Sequence, residues 1–251
     1  GELEITDAVI IDGSTSGLGT VTITADAMGN DVLSGDGSTG LTVVTASEAV
    51  DVSKDELDND GDGVIDESGE GLLDDNSRIF HITSKTADTQ LKGLVLTGGF
   101  ANGREQGGAV YSAASLTVLN SSLSGNSAGT GGGVYGLGAI SLTNSTVSGN
   151  SAFINRGGGI YGQDAIALTN STVSGNFARF AGGGVYGQDN VTLTNSTVSG
   201  NTAENEGGGI RASDAVTLTN SIVLGNIAVF YAEIIGTMDT SGGGNIVGEG
   251  S

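Results

Sequence analysis

The densest set of potential ligands in this chain is the stretch DVSKDELDNDGDGVIDESGEGLLDD at 51–75. Within it Asp58, Asp60 and Asp62 stand at alternate positions, followed by Gly63, Val64, Ile65, Asp66 and Glu67. Carboxylate oxygens at i, i+2 and i+4, a glycine for the sharp turn and a main-chain carbonyl from Val64 together suit a calcium ion. Ile65 would pin the loop to the body of the protein. The twelfth position is Gly69, where a bidentate glutamate would close a full loop, and Glu70 stands one place out of register. The spacing predicts a metal site on Asp58, Asp60, Asp62, Val64, Asp66 and Glu67, with Glu70 as a weaker ligand. The alternative is a solvated acidic surface loop. A second set, Asp31 and Asp36 in GNDVLSGDG at 29–37, offers one calcium-type unit and reads more simply as a turn between strands.

Groups for catalysis are sparse. Lys54, Arg78, Lys85 and Lys92 are the bases of the first hundred residues, and Arg104, Arg156, Arg179 and Arg211 are those of the remainder. A lyase acting on a uronate needs such a base beside a cation, whereas a glycoside hydrolase needs paired carboxylates. Arg156, Arg179 and Glu206 lie in short variable loops and read as solvated charges. His81 lies in the alternating run Ile79-Phe80-His81-Ile82-Thr83 and is expected to face outward from a strand. Ser221 and its counterparts have no histidine beside them in the repeats. Tyr111, Tyr135, Tyr161 and Tyr186 recur as one column. Such a column either packs on itself or grips a sugar chain, and self-packing is the expectation.

The elements that position these groups are repeats. Val118–Ala128 reads VLNSSLSGNSA, and LTNSTVSGNSA, LTNSTVSGNFA, LTNSTVSGNTA and LTNSIVLGNIA follow. Their leading asparagines, Asn120, Asn144, Asn170, Asn195 and Asn220, are 24, 26, 25 and 25 residues apart. A fixed period of this size means stacked supersecondary units. Each unit also carries a glycine cluster such as GGGVY at 131–135 and an alternating run such as Ile140-Ser141-Leu142-Thr143. Alternation marks a half-buried strand, and Thr146-Val147-Ser148 supplies a third short one. No room remains for a helix. The predicted fold is all-β, a right-handed parallel β-helix with three short strands per coil of about 25 residues.

Ile140, Leu142 and Val147 are expected to point inward, and Ser141, Thr143, Thr146 and Ser148 outward. Two asparagine rows, led by Asn120 and Asn126, fall at corners, where asparagine tolerates left-handed backbone and can hydrogen-bond along the stack. The N-S-T triplets at Asn144, Asn170 and Asn195 match glycosylation acceptors. At a buried corner they are expected to form ladders instead.

The GGGVY/GGGIY and V-S-G-N-S-A patterns resemble the repeats of polymorphic outer-membrane proteins. They are closer still to those of bacterial secreted and surface proteins with right-handed parallel β-helix repeats. Leu123, Val147, Val173 and Val198 stand where the outer-membrane family has phenylalanine. The resemblance covers 86–250 and extends to 1–25. It implies an exported protein, often without catalysis. The loop at 58–67 resembles the calcium loops of thrombospondin-type and dockerin repeats.

Net charge is −21, and residues 1–78 hold 19 of the 29 acids. Such acidity argues against nucleic acid and anionic membranes as partners. Ile227–Ala232 is too short to span a bilayer. The chain has no cysteine, which leaves neither a disulfide framework nor thiol chemistry. It opens at Gly1 without a signal-like stretch and reads as a mature or excised piece.

The organisation expected is one β-helix domain over 1–251, with an acidic calcium-binding insertion at 26–77 and regular coils at 86–250. The function expected is a non-catalytic extracellular protein: a surface stalk, adhesive passenger or filament subunit. Its expected partners are calcium, surface glycans and further copies of itself stacked head to tail, because neither end shows an evident cap. The alternatives are a calcium-dependent polysaccharide lyase or epimerase, a carbohydrate-binding β-helix and, more remotely, an ice-binding solenoid based on the Thr192/Thr194 and Thr217/Thr219 rows.

Overall fold

The computed structural model describes residues 78–83, 85 and 89–249, together with the backbone of the strands Leu3–Ile5, Ile10–Asp12 and Val21–Thr24. Every strand pairing is parallel, no helix occurs among the described residues, and about 25 residues complete each turn of a β-solenoid. About six turns stack.

One coil shows how the repeat winds. Val134–Gly136 is followed by Ile140–Thr143, Thr146–Ser148 and the two-residue strand Ser151–Ala152. The first two belong to a 14-stranded sheet, the third to an 8-stranded sheet and the last to a 5-stranded sheet. The two walls of the large sheet are joined by one continuous strand, Ile210–Thr219. The alternating pattern therefore fixes three sheets, and the short Ser-Ala piece adds a fourth segment to the three strands anticipated per coil.

Register is set by the apolar residues. Ile140 pairs with Leu116 and Ile166, and Leu142 with Val118 and Leu168. Val147 lies between Leu123 and Val173. All of these are buried, whereas Ser141, Thr143, Thr146 and Ser148 face outward. A one-residue slip would turn every one of them to solvent, so the core enforces the stack. Burying each such Val, Leu or Ile contributes about 1.5–3 kcal/mol.

The corners explain the small residues. Asn120, Asn144, Asn170, Asn195 and Asn220 hold φ between 47° and 52°. Asparagine visits this left-handed region more readily than most residues. The second row does not use it: Asn126, Asn150, Asn176, Asn201 and Asn226 follow glycines at 125, 149, 175, 200 and 225 that take the positive φ instead. Gly158 shows why the glycine cluster is needed. A Cβ there would collide with the carbonyl oxygens of Gly183 and Phe177, so the chain turns in a space only hydrogen can occupy.

The strands of residues 3–24 pair in the same parallel sense with the next coil. Leu3–Ile5 lies against Phe80–Ile82, Ile10–Asp12 against Thr89–Lys92, and Val21–Thr24 against Leu94–Thr97.

Candidate functional site

The predicted calcium ligands Asp58, Asp60, Asp62, Val64, Asp66 and Glu67 lie outside the described residues, as do Asp31, Asp36 and Glu70. Among the described residues, no group of three or more His, Asp or Glu side chains is placed to hold a metal ion. What the structure does place are columns of polar and aromatic side chains running along the stack.

The inner asparagine row is a buried ladder. Asn126 donates from its side-chain amide to Asn150 Oδ1 at 2.9 Å, and its backbone N–H donates to the same oxygen at 2.9 Å. The second amide proton goes to Leu96 O at 3.1 Å. The pattern repeats from Asn150 to Asn176, Asn176 to Asn201 and Asn201 to Asn226. At its last step the next asparagine is replaced by a carboxylate. Glu233 accepts Asn226 Nδ2 at 2.6 Å and Gly225 N at 2.9 Å. The asparagine-to-asparagine bonds run toward the C-terminal coils, so the last asparagine is met correctly by a group with acceptors alone.

The outer row runs the other way. Asn220 donates to Asn195, Asn195 to Asn170, Asn170 to Asn144 and Asn144 to Asn120, at 2.9–3.2 Å. These asparagines are exposed, which corrects the expectation of a buried corner at the N-S-T triplets. The ladder itself is as anticipated. The serine after each of them is buried, and Ser145, Ser171, Ser196 and Ser221 accept from the backbone N–H one coil earlier. Asn245 Oδ1 takes over this role for Ser221 N at 3.0 Å.

The tyrosines stack face to face. Successive ring centroids are 5.6, 4.7 and 5.1 Å apart from Tyr111 through Tyr135 and Tyr161 to Tyr186, with planes within 4° of parallel. Their faces are covered by one another, the self-packing outcome. Gln163 donates to Tyr135 OH at 2.9 Å and Gln188 to Tyr161 OH at 2.6 Å. Burial holds both phenols above their usual pKa of 10.0, and neighbouring tyrosines add to the shift. His81 sits edge-on to Tyr111 at 5.0 Å, facing outward as its alternating strand requires. Arg211 occupies the next place beyond Tyr186, its guanidinium carbon 5.0 Å from the ring centroid.

The charges expected to be solvated divide. Arg179 is exposed. Arg156 is half-buried, its guanidinium carbon 5.1 Å from the Phe180 centroid and 5.2 Å from that of Tyr186. Glu206 Oε1 lies 3.8 Å from Arg211 Nε. Arg78 is buried, donates to Gln106 O at 2.9 Å and pairs with Glu105 at 3.1 Å. Sequence reasoning missed Glu233, Asn245 and the setting of Arg156. The first two break the period, and a residue with no counterpart in other repeats is a legible signal for a ladder end. The stacking of Arg156 depends on Phe180, whose position no periodicity reports.

The outward Ser and Thr side chains form even rows on the 8-stranded sheet, from Ser122/Ser124 through Thr146/Ser148 and Thr172/Ser174 to Thr197/Ser199. Val95 precedes the first row and Thr97 the second, while Ile222 and Leu224 follow, so both rows end in apolar residues on the C-terminal side.

Fold and ladders together define a parallel β-solenoid. No protein-family model, no curated protein and no solved structure matches this chain.

Proposed function

We propose that this chain is a non-catalytic structural rod of the cell exterior, a stalk, adhesive passenger or filament subunit, carrying calcium in its acidic segment at 26–77. One observation carries the reading. The repeated side chains with chemical capacity are spent on holding coil to coil: asparagine amides on the next asparagine, serine hydroxyls on backbone N–H groups, tyrosine rings on tyrosine rings. Such a design favours persistence of shape over turnover. The exterior setting rests on the resemblance of the repeats to those of secreted and surface β-helix proteins.

Calcium would act by neutralising Asp58, Asp60, Asp62, Asp66 and Glu67, whose mutual repulsion otherwise destabilises the segment. Calorimetric titration of calcium into the wild type and the double variant Asp60→Ala/Asp62→Ala tests the metal assignment. Binding by the wild type and its loss in the variant are expected; equal heats would sink it. Turnover of an acidic polysaccharide, abolished by substitutions in the variable loops, would instead establish the lyase or epimerase reading. Light scattering across a concentration series tests head-to-tail association, and a strictly monomeric particle at high concentration argues against filaments.

A further inference from the structure

Arg156 is held in an unusual state for a surface cation. Its guanidinium packs against both Phe180 and Tyr186, its Nε is buried, and that Nε has no acceptor. No described carboxylate lies within ion-pair distance. The column through Arg156 runs to Ala181 and then Glu206. Ala181 therefore separates Arg156 from the nearest acid of its own column by two coil spacings, roughly 10 Å. Arg211 repeats the pattern on the far side of Tyr186. Its Nε is also buried and lacks an acceptor, since Glu206 at 3.8 Å is beyond hydrogen-bond reach. Its NH1 is satisfied by Ser213 at 2.6 Å. Two guanidinium groups thus share one tyrosine ring, and each retains an unused buried donor.

A desolvated polar donor without a partner costs about 1–3 kcal/mol, and more when charged. The aromatic contacts offset part of that cost. They also hold the Arg156 side chain in place, and because its Nε is closed to solvent a carboxylate would be met by the two terminal nitrogens of the guanidinium. Phe180 remains 41% exposed beside the fork, and Arg179 is exposed on the same coil as Phe180. An anion bound at Arg156 would find a guanidinium beside a partly open aromatic ring. Farther back along this corner Phe153 stacks on Phe100 at 5.9 Å.

We propose that the corner formed by Arg156, Arg179, Phe180 and Tyr186 binds a uronic-acid residue of an extended acidic glycan. The sugar carboxylate takes the Arg156 fork, and the apolar C–H face of a pyranose ring lies on Phe180. The electrostatics narrow the ligand class. With a net charge of −21, the molecule repels a densely charged polyanion such as nucleic acid at long range. One carboxylate per ring, spaced by neutral hydroxyl-bearing carbons, meets less repulsion and uses the exposed ring that a phosphate backbone would leave idle. The site rests on neither the calcium loop nor filament formation.

The test is calorimetric titration of the full chain with oligogalacturonate, in the presence of a chelator so that no calcium bridge at the acidic segment contributes. The comparators are the methyl-esterified oligomer and polyglutamate. The wild type should bind oligogalacturonate, with little or no binding of the ester. Arg156→Gln and Phe180→Ala should each weaken binding about tenfold or more. Lys85→Gln, which alters an exposed lysine at a different corner, between Phe80–Ile82 and Thr89–Lys92, should leave it unchanged. Circular dichroism of each variant separates loss of the site from loss of the fold. Equal affinity for the esterified sugar, equal affinity for polyglutamate, an unaffected but folded Arg156→Gln variant, or no binding by the wild type would each overturn the proposal.

Discussion

Asn226 donates its side-chain amide to the Glu233 carboxylate at 2.6 Å, and this contact ends the buried ladder that begins at Asn126. Each asparagine in that ladder donates its backbone N–H and one amide proton to the next coil and the other amide proton back to a carbonyl of the coil before. The last one meets a carboxylate that folds back from seven residues further along the same chain. Both carboxylate oxygens are engaged, one by Gly225 N and the other by Asn226 Nδ2.

Glu233→Gln tests that terminator with the smallest change available. One of its two acceptors becomes an NH2 group facing a donor, at Gly225 N or at Asn226 Nδ2. A loss of about 1–3 kcal/mol is expected, confined to the last coils. Hydrogen exchange at the Gly225 and Asn226 amides reads it directly. Unchanged protection there would show that Glu233 does not close the ladder.

The two asparagine rows should respond very differently to substitution. Asn176→Leu strands the backbone N–H and side-chain amide of Asn150, and removes the donors to Val147 O and Asn201 Oδ1. Leaving several buried groups unpaired should destabilise the protein by about 3 kcal/mol or more. Asn170→Gly loses exposed bonds only and keeps a residue at ease with φ near 50°. Its cost should stay under about 1 kcal/mol. Denaturant midpoints of the two variants decide the matter, and equal losses would contradict the division into structural and peripheral rows.

Alkaline titration should expose the tyrosine stack. Burial, reinforced for each ring by neighbouring tyrosines, raises the pKa of Tyr135 and Tyr161 above 10.0. The folded state therefore holds those protons more tightly than the unfolded chain does. Their contribution is complete below pH 10 and declines as pH climbs from there through the folded values. Unfolding midpoints should fall over that range, and Tyr161→Phe should flatten the decline. Phenolate absorbance in the native protein should lag that of the denatured protein. Coincident titration curves would refute the shift.

The sequence by itself determined the class of fold. Inward Ile140, Leu142 and Val147, outward Ser141 and Thr146, and a period near 25 can be satisfied together only by stacking coils, because side-chain alternation and repeat length are properties of the chain alone. It also marked Asn144 and Asn150 as ladder residues, and the tyrosines as a self-packing column. The tertiary structure decided what the period could not. It made the Asn144 row exposed and the Asn150 row buried, although both are asparagines beside serine or glycine, because burial depends on which side of a corner faces the column interior. It assigned the left-handed backbone to Asn144 in one corner and to Gly149 in the other. It closed the inner ladder with Glu233, a residue with no counterpart in earlier coils. It also packed Arg156 between Phe180 and Tyr186, a contact between coils that depends on side-chain direction rather than spacing.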